Sequence, residues 1–189
     1  MTTATSVGAV LTGHLRPAHP CRQEPGTRLA WFSNLVRDGT APVRTLDVVP
    51  AQAIIVFGRG LDPSRRALST GSVARVSALL EYLERHLDHY HSNPAVVVFS
   101  GGWAGASEGI VEPPSAEFRE GRLMYARAVA LGVGPDPLTR VARCHQEIDS
   151  DSVLENLLSI RSLGCLGGLR FTGNAPLGVV AHQEHLPRI

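Results

Sequence analysis

From Ala51 onward, apolar and polar residues fall into two alternating rhythms. Ala53–Phe57 (Ala-Ile-Ile-Val-Phe) and Ala95–Phe99 (Ala-Val-Val-Val-Phe) are unbroken apolar runs, as expected for strands buried on both faces. Leu177–Ala181 is another such run, and Leu138–Ala142 is a shorter, weaker strand candidate. Between the runs the period changes. Val76, Leu79, Leu80, Leu83 and Leu87 recur at spacings of three and four, which predicts a helix over Val73–His89. A second helix is expected over Ser115–Leu131, stopped by Gly132, and a third over Ser152–Leu163, stopped by Gly164. Strands alternating with helices predict an α/β fold: a Rossmann-like open, mainly parallel sheet of about four to five strands flanked by helices.

Residues 1–50 lack this rhythm. Pro17, Pro20, Pro25 and Pro42 interrupt them, and only Thr27–Arg37 has the spacing of a short helix. They are expected to form an irregular N-terminal arm on a domain spanning residues 51–189. The apolar patch Val7–Leu11 has neither a basic flank nor the length of a signal peptide. No apolar run approaches the ~20 residues of a membrane helix, so a cytoplasmic protein with no membrane partner is expected.

Composition narrows the chemistry. The chain has 189 residues, 43% of them hydrophobic, and a net charge of +1, which suits one globular domain and gives no reason to expect a nucleic-acid partner. All 18 basic residues are arginine; a lysine Schiff base and a P-loop lysine are therefore excluded. Cys21, Cys144 and Cys165 are widely spaced and odd in number, which reads as reduced thiols. His86, His89 and His91 gather at an expected helix end. They read as a solvated cationic terminus favoured by the dipole, and no metal site is expected there or elsewhere.

Ligands of open parallel sheets bind beyond the carboxyl ends of the strands. Every expected strand here is followed by polar, glycine-rich or ionisable residues: Gly58-Arg59-Gly60, Ser100-Gly101-Gly102, Glu147 with Asp149 and Ser150, and His182 with Glu184, His185 and Arg188. Glycine loops can present backbone N–H groups to an anion, and Arg59 adds charge. The equal alternative is that the glycines simply turn the chain. Ser152-x-x-Glu155 is a capping box, which explains those two residues without a ligand. It leaves Glu147 and Asn156 as functional candidates. His185 can transfer a proton near neutral pH, and Arg188 can hold a phosphate or carboxylate through two parallel hydrogen bonds. There is no Gly-x-Ser-x-Gly elbow for a serine hydrolase.

Taken in order, these residues resemble the DUF218 family, the group of YdcF, SanA and ElyC. The resemblance runs from about Ile54 to Arg188. It is carried by Gly58-Arg59-Gly60, Arg75-Val76, Val98-Phe99-Ser100-Gly101-Gly102, Glu120-Gly121-x-x-Met124 and Gly132-Val133. Glu147-x-x-Ser150-x-Ser152-x-x-Glu155-Asn156 and His185-x-Pro-Arg188 complete the set. The family usually has alanine at the Gly121 position and threonine at the Ser152 position. The resemblance implies a Rossmann-like domain with a site of charged residues, linked to S-adenosylmethionine binding or to cell-envelope functions. By position it adds Arg75 and Glu120 to the candidates Ser100, Gly101, Gly102, Glu147, Ser150, Asn156, His185 and Arg188. Relatives carry a further helix and strand after the His-x-Pro-Arg run, so the sheet is expected to end early, with an edge that a second subunit of a homo-oligomer would cover.

Three functions follow as expectations. The leading one is an enzyme acting on a nucleotide-like or phosphorylated small molecule. Gly58, Arg59, Gly60, Arg75, Ser100, Gly101, Gly102, Ser150, Asn156 and Arg188 would bind the ligand and its anion, while Glu120 or Glu147 and His185 act as acid and base. The alternatives are a non-catalytic binder of S-adenosylmethionine or a related nucleoside, and a degenerate scaffold subunit.

Overall fold

The structure is a computed structural model that describes residues 9–14, 30–31, 49–103 and 112–181. Among the described residues, six strands form one sheet: β1 (Ala9–His14), β2 (Ala30–Trp31), β3 (Ala53–Phe57), β4 (Ala95–Ser100), β5 (Ala142–Glu147) and β6 (Leu177–Ala181). Their spatial order is β2-β1-β6-β3-β4-β5. The four strands β6-β3-β4-β5 are all parallel, with Ile55 opposite Val98 on one side and Val179 on the other. Helices flank this parallel sheet, which establishes the α/β, Rossmann-like architecture expected from the periodicities.

Period two in the strands divides the core. Ile54, Val56, Val97 and Phe99 face helix α1 (Thr70–Arg85) and helix α3 (Glu120–Leu131), packing with Val76, Leu79 and Met124. Ala53, Ile55, Phe57, Val96 and Val98 face the opposite side, where Ile160 of helix α5 (Val153–Ser162) covers them. Each strand is thus buried on both faces, which is why it reads as a continuous apolar run. From β3 the chain winds outward through β4 to β5, then returns through α5 to β6 on the other side of β3. The order therefore reverses between the carboxyl ends of β3 and β6. Doubly wound sheets bind their ligands at that crevice.

Several elements differ from the sequence expectation. Leu138–Val141 is a helical turn (α4), not a strand, and the strand is Ala142–Glu147. Its sequence, Ala-Arg-Cys-His-Gln-Glu, has little apolar signal because β5 is an edge strand with its middle positions largely exposed. Glu147 is consequently the last residue of a strand, directly opposite Ser100. The helix expected over Val73–His89 begins at Thr70 and breaks at His86, where α2 (Leu87–Ser92) starts. The break accompanies burial of Tyr90, whose hydroxyl donates to Ala51 O (2.9 Å) while Tyr82 Oη accepts from Ala51 N (2.9 Å). The helix expected from Ser115 is a 3-10 turn (Ala116–Phe118), an extended Arg119, and then α3.

The N-terminal segment also differs. Ala30–Trp31 is extended and pairs with β1, so the helix expected over Thr27–Arg37 does not form there. β1 lies antiparallel against β6, with Ala9, Val10 and Leu11 opposite Ala181, Val180 and Val179. The edge expected to await a partner subunit is therefore paired by the chain itself. Among the described residues, no helix is long and apolar enough to cross a membrane.

Candidate functional site

The carboxyl ends of β3, β4 and β5 carry two buried polar clusters on either side of the Ser100-Gly101-Gly102 turn. The first is centred on Glu147, which is fully buried. Its Oε2 accepts from the hydroxyls of Ser100 (2.8 Å) and Ser150 (2.6 Å), and its Oε1 from the N–H groups of Asp149 (2.9 Å) and Ser150 (3.0 Å). The Asn156 amide is hydrogen-bonded to the Ser150 hydroxyl. Ser100, Glu147, Ser150 and Asn156 thus form one unit, and both Glu147 oxygens are occupied by it. The capping box forms beside it, with Ser152 Oγ accepting from Glu155 N (3.3 Å) and Glu155 Oε2 accepting from Asp151 N (3.1 Å).

The second cluster joins β3, α1 and the start of α3. Glu120 is the first residue of α3 and is buried. Its Oε1 accepts from Ser72 Oγ at 2.5 Å. Its carboxyl lies so close to two glycines that a Cβ on Gly58 would meet Glu120 Cδ at 2.0 Å, and one on Gly101 would meet Oε2 at 2.9 Å. Here the glycines are required by close approach of a side chain. Arg75, also buried, reaches back from α1 so that Nη1 donates to the carbonyls of Phe57 (2.7 Å) and Gly58 (2.5 Å). That places the guanidinium at the end of β3, the strand that borders the reversal in sheet order.

Burial sets the charge states. It pushes the Glu120 carboxyl above the ordinary range, opposed by the Ser72 hydroxyl, the N–H groups of Gly60 and Arg59, and the Arg75 charge. Burial also brings Arg75 down to about 10, against the attraction of Glu120 and with the repulsion of Arg59; it stays cationic at neutral pH. Ser72 lets Glu120 exist in either form. Its oxygen accepts from Arg59 N (2.9 Å), and it lies within donating distance of both Glu120 Oε1 and Gly60 O (3.0 Å). With Glu120 ionised, the hydroxyl donates to the carboxylate. With Glu120 protonated, the acid donates to Ser72 and the hydroxyl turns to Gly60 O.

A stability prediction follows from the sign of this shift. A carboxyl whose folded value is raised stabilises fully below its unfolded value, and that contribution is lost as pH rises through the raised folded value. Glu120→Gln imitates the protonated acid at every pH. Wild type should therefore lose stability relative to Glu120→Gln as pH rises above the ordinary carboxyl range, measured by urea unfolding. Parallel pH profiles would contradict burial of a titrating acid.

Among the described residues, three buried side-chain polar atoms have no hydrogen-bond partner: Nε and Nη2 of Arg75 and Nε1 of Trp103. All three are donors, and both residues belong to the carboxyl edge. Trp103 and Ser72 are absent from the sequence candidates. A tryptophan directly after a glycine turn was a readable signal for the first. Ser72 is disguised by its place in the Ser69–Ser72 stretch that caps α1, where Ser69 Oγ accepts from Ser72 N (3.2 Å).

The remaining candidates divide. Arg59 is exposed beside the second cluster, and Gly60 takes a left-handed φ of +91° that turns the chain. His185 and Arg188 lie outside the described residues. The histidine group spreads instead of forming one end. His91 Nε2 lies 3.0 Å from Asp136 Oδ2, while His86 packs edge-on to Tyr82 and is held below its ordinary value by burial. Among the described residues, no group of three or more His, Cys, Asp or Glu side chains is placed to hold a metal ion. Comparison with protein-family models, with curated proteins and with solved structures gives no match for this chain.

Proposed function

We propose that this protein is an enzyme acting on an anionic small molecule at the carboxyl edge of its parallel sheet, with Glu120 moving the proton. One observation carries the reading: every buried side-chain polar atom left unpaired among the described residues is a donor, and all lie on that edge. A buried, unpaired polar atom costs about 1–3 kcal/mol, and more when charged, so orphans of one kind in one place call for an acceptor-rich guest. Glu120 suits acid–base work because burial raises its value above the ordinary carboxyl range and the Ser72 hydroxyl satisfies it in both protonation states. Glu147, with both oxygens already engaged, positions the loop after β5. The resemblance to the DUF218 family agrees with a charged site at this edge.

Wild-type protein incubated with a mixture of small organic anions should deplete at least one of them, followed by mass spectrometry. Glu120→Gln, which keeps size and burial, should slow that depletion about 10²–10⁴-fold. Equal depletion by both proteins would end the acid–base role. A second reading, a non-catalytic binder of S-adenosylmethionine or a related nucleoside, is favoured by Trp103, whose indole can stack on a base. It predicts saturable stabilisation by the nucleoside with no depletion at all.

A further inference from the structure

Phosphate sites in α/β proteins are built from backbone N–H groups, drawn from glycine loops and helix N-termini that point at the anion. In the two glycine loops and at the start of α3 those groups are already used. Gly58 N donates to Ser100 O (2.9 Å), Arg59 N to Ser72 Oγ (2.9 Å), Gly101 N to Glu147 O (3.1 Å), and Gly102 N and Trp103 N to Ser150 O (both 3.0 Å). The N-terminus of α3 is closed in the same way, with Glu120 N on Gly102 O (3.3 Å) and Gly121 N on Gly101 O (2.6 Å). Both glycine loops therefore serve the protein's own backbone and its own side chains. The close fit of Gly58 and Gly101 admits the Glu120 carboxyl, not a phosphate.

What remains open is the fork of Arg75. Its Nη1 is spent on two carbonyls, while Nε and Nη2, which lie on one edge of the planar guanidinium, have no partner among the described residues. Two parallel donors on a rigid plane match the two coplanar oxygens of a carboxylate. Charge counting agrees. One buried guanidinium balances one negative charge, the chain has no lysine to add a second cation, and the neighbouring Arg59 is exposed and screened by solvent. A phosphate dianion would bring excess negative charge beside Glu120.

We infer that the anion at this edge is the single carboxylate of a small organic acid, held by Nε and Nη2 of Arg75, and that phosphates and pyrophosphates are not its ligands. This rests on the reading of the edge as an anion site and narrows its substrate class.

The test uses the full chain in thermal-shift and titration measurements at matched ionic strength. One panel contains acetate, benzoate, pyruvate and S-adenosylmethionine, which carry a carboxylate. The other contains inorganic phosphate, glycerol phosphate, AMP and 5′-methylthioadenosine, which do not. At least one carboxylate should bind saturably while the second panel has no effect, and Arg75→Lys should weaken that binding about ten- to a hundredfold. Urea unfolding of Arg75→Lys establishes that the variant is folded. If phosphates bind and carboxylates do not, the carboxylate inference falls and the anion site stands. Carboxylate binding that Arg75→Lys leaves unchanged also overturns it. If neither panel binds, both the inference and the proposed function fail.

Discussion

Gly58→Ala is expected to be among the most destabilising single methyl additions in this domain. Its Cβ would sit 2.0 Å from the Cδ of Glu120, so the buried carboxyl must leave its seat and give up the Ser72 hydroxyl. Overpacking costs about 1–3 kcal/mol, and a lost hydrogen bond to a buried acid adds about 1–2 kcal/mol. A total of about 3 kcal/mol lowers Tm by roughly 6–12 °C in a chain of this size. The cause is checkable by a double-mutant cycle. In a Glu120→Ala background the space is vacant, and Gly58→Ala should then cost less than about 1 kcal/mol, a coupling of about 2 kcal/mol. An equal cost in both backgrounds would place the fault elsewhere than in the carboxyl's approach.

Glu147 should behave differently from Glu120, although both are buried glutamates on one sheet edge. Its four hydrogen bonds come from two hydroxyls and two backbone N–H groups. The hydroxyls can turn away when the carboxylate is removed; the N–H groups cannot. Glu147→Ala is therefore expected to lose about 4 kcal/mol, a large part of the ~5–15 kcal/mol that holds a domain folded. Glu147→Gln keeps one acceptor but turns an amide N–H toward donors, and should lose about 2 kcal/mol. Glu120→Gln should be at least as stable as wild type in urea unfolding near pH 7, because it avoids burying a charge there. A Glu147→Gln protein as stable as wild type, yet inactive, would mean that Glu147 does chemistry and is not an anchor.

The parts of this fold legible in the sequence share a physical cause. β3, β4 and β6 are covered on both faces, so their burial is written as unbroken apolar runs. β5 is an edge strand, and the same rule gives it little signal; its start was displaced onto Leu138, which begins a helical turn. The breaks at His86 and Arg119 involve neither proline nor glycine. They are set by tertiary contacts: Tyr82 and Tyr90 on Ala51 in one case, Arg119 Nη1 on Ile148 O (3.2 Å) in the other. No local pattern announces either.

The site divides along the same line. Glu147, Ser150 and Asn156 lie within ten residues of one another, so their grouping was visible before the fold. Glu120 meets Gly58 and Ser72 only because α1 and α3 pack on the same face of the sheet, and 48 positions separate Ser72 from Glu120. In the sequence, the glycines at the strand ends read equally as loops for an external anion or as simple turns. What approaches them, a carboxyl of the chain itself, required the three-dimensional packing. Pairing of β1 with β6 is a contact between the two ends of the chain, beyond any local rhythm.

The central claim is that the unpaired donors of Arg75 and Trp103 mark a ligand site at the end of the parallel sheet. The Nε–H groups of arginine and tryptophan give separate signals in a nitrogen-15 correlation spectrum, and Arg75→Lys and Trp103→Phe assign them. During titration with a carboxylate from the binding panel, the Arg75 signal should shift downfield and saturate, with the Trp103 indole responding over the same concentrations. A ligand that binds and is turned over while both signals stay fixed would contradict the account.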